Sequence, residues 1–445
     1  MAETREIFKT LDFALRVGEM LLSNGAGAPD VSATMGSIVH YLGLRSASVD
    51  VTFTRLTISH QTSVEEPALT QTRDVTQRDI DYDDLTAVDH LVTSLLQGKI
   101  GRDEARIQLA QIATSGHRAP RWAITASWGA IGAGIGLLLG GDWVVILTAS
   151  IAAAGIEVLQ RYLARRRFPF FYQQVAGGLL ATLLAIGVAA TDVAVNPSLV
   201  ITASIVMLLA GLGFIGAVQD ALTGFYITAG ARLLEVMIAT AGIIVGVSGG
   251  LGLGSVLGVN IALEPGIGEL SQLPVMILGA AIAASGFAFS AYAPARVLLP
   301  IAVISGGAAA IYFIMTQQGF GRAWASAIAA ITIGVVSYSV AGWARVPPLV
   351  IVVSCIVPLL PGLSIYRALS LMAAGDSNGI LALVTAAAVA ISLSSGVILG
   401  EYVAQPLKRE ARRLEHRLAG PRLVGPLRAR AVGKNTKKVK KNTKK

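Results

Sequence analysis

The sequence predicts a polytopic α-helical membrane protein: ten transmembrane helices form two five-helix inverted repeats, preceded by a small cytoplasmic α/β domain. Of the 445 residues, 53% are apolar and only 14% are charged, and the mean hydropathy is +0.64. Apolar stretches of about 20 residues, the length that crosses a bilayer as a helix, recur from residue 122 onward. Soluble globular domains rarely have this composition.

Residues 1–118 differ from the rest of the chain and predict the cytoplasmic domain. Apolar residues recur there at helical spacing, and two segments rich in β-branched residues predict strands. The first 25 residues carry seven charged side chains, so they lack the apolar core of a signal peptide and should stay in the cytoplasm. The predicted elements are helices over 7–22 and 30–42, the second with Asp30 as its N-cap, strands over 46–55 and 56–61, and helices near 85–97 and 102–113.

Ten apolar spans follow, and an internal duplication divides them into two sets of five. Residues 346–365 align without a gap on residues 195–214, 151 positions earlier, with eight of the twenty positions identical. Because each set has an odd number of spans, the two sets must cross the membrane in opposite senses, as in many transporters. The spans lie near 122–140, 143–160, 170–190, 198–218, 228–254, 273–292, 295–314, 323–343, 348–366 and 379–402.

The distribution of charge predicts the orientation. Residues 408–445 carry 15 basic and two acidic side chains, so the net charge of +9 comes from a tail that we expect to be disordered and that does not indicate nucleic-acid binding. The tail could contact anionic lipid headgroups. Most other arginines fall in loops on one side, which the positive-inside rule makes cytoplasmic together with both termini. The predicted divisions are 1–118 for the cytoplasmic domain, 119–260 and 261–406 for the two repeats, and 407–445 for the tail.

The ninth span is broken by proline. Pro358, Pro361 and Gly362 interrupt the apolar stretch 346–368, which is otherwise long enough to enter a membrane. Proline removes a backbone donor, and a carbonyl freed in hydrocarbon needs a partner in the protein or in a water-filled cavity. The break therefore indicates either a binding site or a kink held by packing. The first copy keeps the glycine, Gly211, but lacks both prolines, so we expect the break to be more pronounced in the second copy.

Five segments, spread over nearly the whole chain, carry a family resemblance. They are L-L-S-N-G over 21–25, V-D-V-T-F-T over 49–54, L-L-A-G-L leading into Q-D-x-L-T-G-x-x-x-T-A-x-A-R-x-x-E over 208–235, P-L-L-P-G-L-x-I-Y-R over 358–367 and G-V-I-L-G-E over 396–401. Together they resemble the bacterial threonine/serine exporter family, particularly its actinobacterial members. The resemblance implies a ten-helix protein of the bacterial plasma membrane that uses the proton-motive force to expel threonine and serine. Its partners would be these amino acids, protons and membrane lipids, and self-association into a homo-oligomer stays open.

We predict a transport pathway lined by residues of the two breaks and by charged residues near them. Asp220 is a candidate proton carrier, and Arg232 could bind a substrate carboxylate or pair with Asp220 or Glu235. Arg367 could bind a carboxylate or close the pathway. Simpler interpretations are a helical ion pair between Arg232 and Glu235, three residues apart, and a surface position for Arg367. The full set is Gly211, Asp220, Arg232, Glu235, Pro358, Pro361, Gly362 and Arg367.

The predicted spans contain no histidine, so proton coupling would require carboxylates. Glu157 and Glu401 end their spans near the inner face. We expect them to be interfacial, with a part in proton relay as the alternative.

A second candidate site lies in the N-terminal domain, where Asn24, Asp50, Thr52 and Thr54 are the polar residues nearest to the motifs. The last three would share one face of a strand, because side chains alternate there, and they could form a pocket or be solvated. The sequence shows no Ser-His-Asp arrangement, no paired metal ligands and no phosphate loop. We therefore predict no enzyme activity, no catalytic residue, no metal and no cofactor. A membrane-anchored enzyme or sensor acting through this domain and a passive small-solute channel stay open as alternatives.

Overall fold

The computed structural model describes residues 2–415, apart from 64, 77, 117–118, 192–195, 207, 209–210, 258–271 and 374–375. This part of the chain is a multi-pass helical membrane protein. Seven described helices are long and apolar enough to cross a bilayer. The divisions predicted after residues 118 and 260 fall outside the described residues, as does the predicted tail beyond residue 415.

The N-terminal region combines helices with a three-stranded antiparallel sheet in the order β1-β2-β3. Leu56 and Ile58 of the central strand are buried against α1, and β3 forms an edge. The sequence predicted two strands. The third was missed because its residues, L-T-Q-T-R-D, are mostly polar and alternate between half-buried and exposed. The elements are α1 (Ala2–Ser23), α2 (Ala28–Tyr41), β1 (Ser48–Thr52), β2 (Arg55–His60), β3 (Leu69–Asp74), α3 (Tyr82–Leu96) and α4 (Arg102–Thr114).

Helix α2 begins two residues earlier than predicted. Gly27 is its N-cap and Pro29 occupies its first turn, so Asp30 lies inside the helix and the prediction of Asp30 as N-cap is wrong. The proline explains the shift, because its fixed φ angle favours the first helical turn. The N–H group of Ala28 has no partner inside the helix, as expected for a first-turn donor, and is free to bond elsewhere.

The remaining helices begin and end within a few residues of most predicted spans, but the fourth and ninth spans are each divided into two helices. Both copies are interrupted, and in the first copy positions 207 and 209–210 lie outside the described residues, so the predicted stronger break in the second copy stays a prediction. The helices are α5 (Arg121–Leu138), α6 (Trp143–Arg165), α7 (Phe170–Ala189), α8 (Pro197–Ile205), α9 (Gly211–Leu222), α10 (Tyr226–Val256), α11 (Leu273–Ser290), α12 (Ala295–Gln317), α13 (Arg322–Ala344), α14 (Pro348–Ile356), α15 (Gly362–Ala373) and α16 (Asn378–Glu415).

Helix α16 extends beyond its predicted end. It continues to Glu415, so the first residues of the predicted tail, 407–415, are helical rather than disordered. Extending an existing helix costs far less than starting one, and alanine, arginine, leucine and glutamate are all good helix formers.

Glycines allow the membrane helices to approach closely. Methyl groups built on Gly134 of α5 and Gly279 of α11 would each lie within 2.7 Å of the other residue's carbonyl oxygen. On α10, a methyl group on Gly246 would collide with the carbonyl oxygen of Val175 in α7. Small residues at such positions let helix backbones come into direct contact. The resulting van der Waals packing stabilises helix association in lipid, where the hydrophobic effect does not.

We expect Gly246→Ala to lower the unfolding free energy by about 1–3 kcal/mol, because the added methyl forces α7 and α10 apart. Gly249→Ala on the same helix is the matched control, since nothing lies within 4 Å of the added methyl. It should leave stability unchanged or raise it by up to about 1 kcal/mol. Thermal unfolding of the two purified variants in detergent measures the difference, and equal melting temperatures would contradict the packing.

Candidate functional site

The two divided spans meet at their breaks. After the first break α9 begins at Gly211, and after the second α15 begins at Gly362. A methyl group built on Gly211 would lie 3.1 Å from the Cβ atom of Leu360, the residue before Pro361. Gly211, Pro361 and Gly362 are buried. The structure thus brings together the residues that the sequence predicted separately in its two copies.

The second break is a short interruption of the helical backbone. Pro358 lies inside the 3-10 turn Val357–Leu359, and Leu360 leaves helical geometry with φ −59° and ψ 135°. Helical bonding resumes when the N–H of Ile365 donates to the carbonyl of Pro361 over 3.0 Å. Backbone groups between the turn and the first helical bond of α15 are therefore not used by the helix itself.

The breaks place helix ends of opposite polarity within the membrane region. The N-termini of α9 and α15 carry partial positive charge, and the C-terminus of α14 carries partial negative charge. One carbonyl of α14 is already occupied, since the hydroxyl of Ser305 donates to the carbonyl oxygen of Cys355 over 3.3 Å. Chemically, such ends can stabilise a small molecule that has both a carboxylate and an ammonium group.

A buried ion pair lies at the far end of α9. Asp220 is 1% exposed, and its Oδ2 lies 2.9 Å from Nη1 of Arg232 in α10. The contact is an ion pair without the alignment of a hydrogen bond. Gly216 leaves room for the guanidinium group, since a methyl there would lie 3.0 Å from Nη1. The N–H of Ala28, from α2, donates to Oδ1 of Asp220 over 3.3 Å.

Glu235 has a different partner from the one its spacing suggested. Its Oε1 lies 2.6 Å from Nη2 of Arg78, in the loop before α3, and not beside Arg232 one turn away. The local helical pair between Arg232 and Glu235 is therefore not formed. Arg232 turns instead toward Asp220, where burial makes an opposite charge more valuable than it is at the exposed surface.

Asp30 extends this charged cluster into the N-terminal region. It follows Ala28 by two residues, keeps part of its side chain open to solvent although many protein atoms surround it, and lies close enough to Asp220 to be affected by its charge. Loss of solvation by the surrounding protein, together with the negative charge of Asp220, raises the pKa of the Asp30 carboxyl. Glu401 of α16 lies within electrostatic range of Asp30. Carboxyl groups from α2, α9 and α16 therefore form a chain of neighbouring charges, from Glu401 through Asp30 to Asp220, and Arg232 pairs with the last of them.

The sequence missed Asp30 and Arg78 as parts of this cluster. The dipeptide P-D after the L-L-S-N-G motif marked a helix start, but nothing local showed that this turn packs against α9. Arg78 lies in a loop without a motif. Only the folded arrangement, in which the N-terminal region sits on the ends of α9 and α10, brings them to the site.

The residues predicted as an N-terminal pocket do not share one face. Thr52 donates from Oγ1 to Oδ2 of the exposed Asp50 over 2.7 Å. Thr54 lies in the turn after β1, because the strand ends at Thr52 and Phe53 has a φ of +55°. The prediction that all three lie on one strand face is therefore wrong for Thr54. Asn24 follows α1 and is buried, with an Nδ2 atom that has no hydrogen-bond partner among the described residues.

Arg367 is exposed on α15, whereas Asp220 is buried and Arg232 is half-buried. Its place in the pathway stays a prediction. In the described part of the chain, no group of three or more His, Cys, Asp or Glu side chains is arranged to hold a metal ion.

We expect Arg232→Gln to destabilise the protein by about 3–5 kcal/mol, because it leaves the buried Asp220 without its opposite charge. The double variant Asp220→Asn, Arg232→Gln should be less destabilised than Arg232→Gln alone, since it buries no unpaired charge. Lys9→Gln, which breaks the exposed pair with Glu6, is the control and should change little. Melting temperatures in detergent test the order, and a double variant at least as unstable as the single one would argue against the pair.

Asp30→Asn should raise stability at neutral pH, and the gain should shrink as the pH falls. A carboxyl whose pKa is raised on folding binds its proton more tightly in the folded protein, so it costs stability above the pKa of the unfolded chain, about 3.9. Asp74→Asn is the opposite control, because the hydrogen bond from Arg55 lowers the pKa of Asp74 and its loss should destabilise the protein at neutral pH. Melting temperatures from pH 4 to pH 8 check both signs. An Asp30→Asn effect that does not vary with pH would contradict the raised pKa.

Two family profiles match the chain. Residues 12–254 match the family described as "Putative threonine/serine exporter", and residues 276–403 match the family described as "Threonine/Serine exporter, ThrE". The two matches together span both halves of the membrane region and most of the N-terminal region.

Two curated relatives align with nearly the whole chain. The "Probable threonine/serine exporter" of Mycobacterium tuberculosis is 34% identical over 439 residues, which cover 96% of this chain and 82% of the relative. The "Threonine/serine exporter" of Corynebacterium glutamicum is 30% identical over 420 residues, which cover 93% of this chain and 86% of the relative. No solved structure matches the chain. These matches confirm the resemblance seen in the motifs and the prediction that the protein is not an enzyme: the chain belongs to the threonine/serine exporter family of membrane transporters.

Proposed function

We propose that the chain exports threonine and serine from the cytoplasm and that the proton-motive force drives this export. The observation that carries the proposal is the meeting of two broken spans inside the membrane region, at Gly211 and Leu360. A membrane anchor needs no broken helix, whereas a transporter uses one to expose backbone groups to a polar solute. The substrate range follows the names of the relatives.

The proposed membrane architecture is ten crossings in two inverted repeats. In each half, three long helices precede a divided span and a further long helix. Where α5 meets α11 the chains run in opposite directions, since Gly134 lies against Gly279 while Gly286 lies against Ser127. Equivalent first helices that run antiparallel support an inversion between the two halves.

The third and fifth spans of each half support the same architecture. Helices α7 and α10 run parallel, because residue numbers rise in the same direction along both, with Gly242 against Gln174 and Gly250 against Thr182. Helices α13 and α16 repeat this, with Gly396 against Ala327 and Gly400 against Ile331. Parallel third and fifth spans require that the divided span between them crosses in the opposite sense.

Substrate recognition would use the two breaks. Threonine and serine carry a carboxylate, an ammonium group and a hydroxyl, all of which need partners when they leave water. The N-terminal ends of α9 and α15 would hold the carboxylate, and free carbonyls near Pro358 and Pro361 would accept from the ammonium and hydroxyl groups.

Proton coupling would use Asp220 and the carboxyl groups that neighbour it in the charged cluster. Asp220 is held by Arg232 and by the N–H of Ala28, and Asp30 and Glu401 offer further sites to which a proton could pass. Neighbouring carboxylates repel one another, so at least one member of such a cluster favours the protonated state. Moving that proton from one carboxyl group to the next costs less free energy than ionising all of them.

The N-terminal region would face the cytoplasm. It packs on the ends of membrane helices beside Arg296 and Arg345, both on the side that the positive-inside rule makes cytoplasmic. The threonine and serine that enter the pathway would therefore pass this region before they reach the breaks.

Release of labelled threonine from proteoliposomes, with and without an imposed pH gradient, tests the proposal. We expect gradient-driven release from the parent protein, release that no longer responds to the gradient in Asp220→Asn, and altered release in Pro361→Ala. Matched controls are Asp142→Asn, which keeps an N-cap on α6, and Pro300→Ala inside the continuous α12. Both should behave like the parent.

Two results would contradict the proposal in different ways. Threonine release that ignores the gradient in the parent protein would indicate a passive channel. No release of threonine or serine from any of the proteins would remove these amino acids as substrates.

A further inference from the structure

The N-terminal region is bonded to both halves of the membrane region at the same end of the helices. Helices α9 and α10 belong to the first half, and α11 and α13 belong to the second. The contacts to the first half are Ala28 with Asp220, Phe53 with Thr228 and Arg78 with Glu235, and those to the second half are Tyr82 with Ala291 and His90 with Arg345.

The contacts to the first half are polar. The hydroxyl of Thr228 accepts from the N–H of Phe53 over 3.0 Å and donates to the carbonyl of Val51 over 3.2 Å. It thus joins the start of α10 to the turn between β1 and β2. The positive φ of Phe53, +55°, belongs to the turn that presents these two backbone groups together.

The ion pair to the first half is partly exposed. The side chains of Arg78 and Glu235 are 26% and 41% exposed, and the guanidinium carbon of Arg78 lies 4.6 Å from the ring centre of Phe53. Ion pairs in such positions contribute little net stability, because water solvates both charges when they separate. This ion pair can therefore open and close at low cost.

The contact of Tyr82 with the second half combines a main-chain hydrogen bond with a deeply buried ring. Tyr82, at the start of α3, is 1% exposed. Its ring packs against that of Phe287 in a T-shaped arrangement, with 6.4 Å between the ring centroids. Its N–H donates to the carbonyl of Ala291, just after α11, over 2.8 Å. Pulling Tyr82 out would expose its whole ring to water, which is costly in proportion to the apolar area.

The apolar cores connect the N-terminal region to both halves. Its buried residues form one continuous cluster with those of α11 to α14 and α16, and this cluster also takes in residues of α5, α6, α8, α9 and α10. The first half has in addition a separate cluster, formed mainly by α6, α7, α8 and α10, which the N-terminal region does not join. The asymmetry therefore lies in the buried ring of Tyr82 on Phe287 of the second half, set against the polar contacts with α9 and α10 of the first.

We propose that the N-terminal region is a gate that moves with the second half and releases from α9 and α10 each time this end of the pathway opens. The proposal rests on the proposed function, because the two halves of a transporter must move against each other around a central site. While both sets of contacts are made, the region ties the halves together and holds this end closed. When the Phe53, Arg78 and Ala28 contacts break, the first half is free to move and the buried Tyr82 keeps the region in place.

A reversible cross-link across each side of the gate tests this asymmetry. In a Cys355→Ala background, Arg78→Cys with Glu235→Cys ties the region to the first half, and His90→Cys with Arg345→Cys ties it to the second. A short bifunctional methanethiosulfonate links each pair and a reductant removes the link, while mass spectrometry measures the extent of linking. Gradient-driven release of labelled threonine is compared before and after reduction of the same sample.

We expect the first cross-link to reduce threonine release at least about tenfold relative to the reduced sample of the same variant, whose own rate already includes any loss from replacing Arg78 and Glu235, because the link blocks a required movement. The second cross-link should leave release within about twofold of the reduced sample, because those parts move together. Release that continues with the first pair linked, or stops equally with either pair linked, would overturn the gate. If the reduced samples and the parent all fail to release threonine, the proposed function fails and the gate fails with it.

Discussion

Inside hydrocarbon the backbone must satisfy its own hydrogen bonds, and this requirement decides where the chain can be irregular. Most of the described membrane helices are continuous for that reason. The two exceptions lie against each other, at Gly211 and Leu360. Ser305 supplies one missing partner by donating to the carbonyl of Cys355. Irregular backbone is therefore confined to the place where a polar solute would need it.

The ion pair of Asp220 and Arg232 connects this break to the N-terminal region. A buried charge pair is stable only when further hydrogen bonds support it, and Asp220 receives one from the N–H of Ala28. Because α9 begins at the break and ends near Asp220, a shift of this short helix would move both the break and the ion pair. Substrate chemistry and proton chemistry would then share one rigid element of twelve residues.

The sequence predicted the parts of the fold that depend on local pattern. Apolar length located the spans, and Pro358 and Pro361 located one break, because both signals act through the backbone of a single helix. The sequence offered both Asp220 and Glu235 as partners of Arg232, and local pattern could not choose between them. Glu235, three residues away, is the partner that helical spacing favours, yet in the fold Arg232 pairs with Asp220. The first turn of α2 covers that pair, and the absence of a side chain at Gly216 leaves room for the guanidinium group. The role of Asp30 and the edge strand β3 were missed because tertiary packing, not local propensity, determines them.

The attachment of the N-terminal region to the membrane helices is made largely through main-chain atoms. The N–H groups of Ala28, Phe53 and Tyr82 donate across it, and the carbonyls of Val51, Ala291 and Arg345 accept. A main-chain group is the same whichever side chain the residue carries, with proline as the exception for donors. The interface therefore constrains the path of the backbone more than the identity of the amino acids along it. Evolution could change many of these side chains and still preserve the way the two parts of the protein fit together.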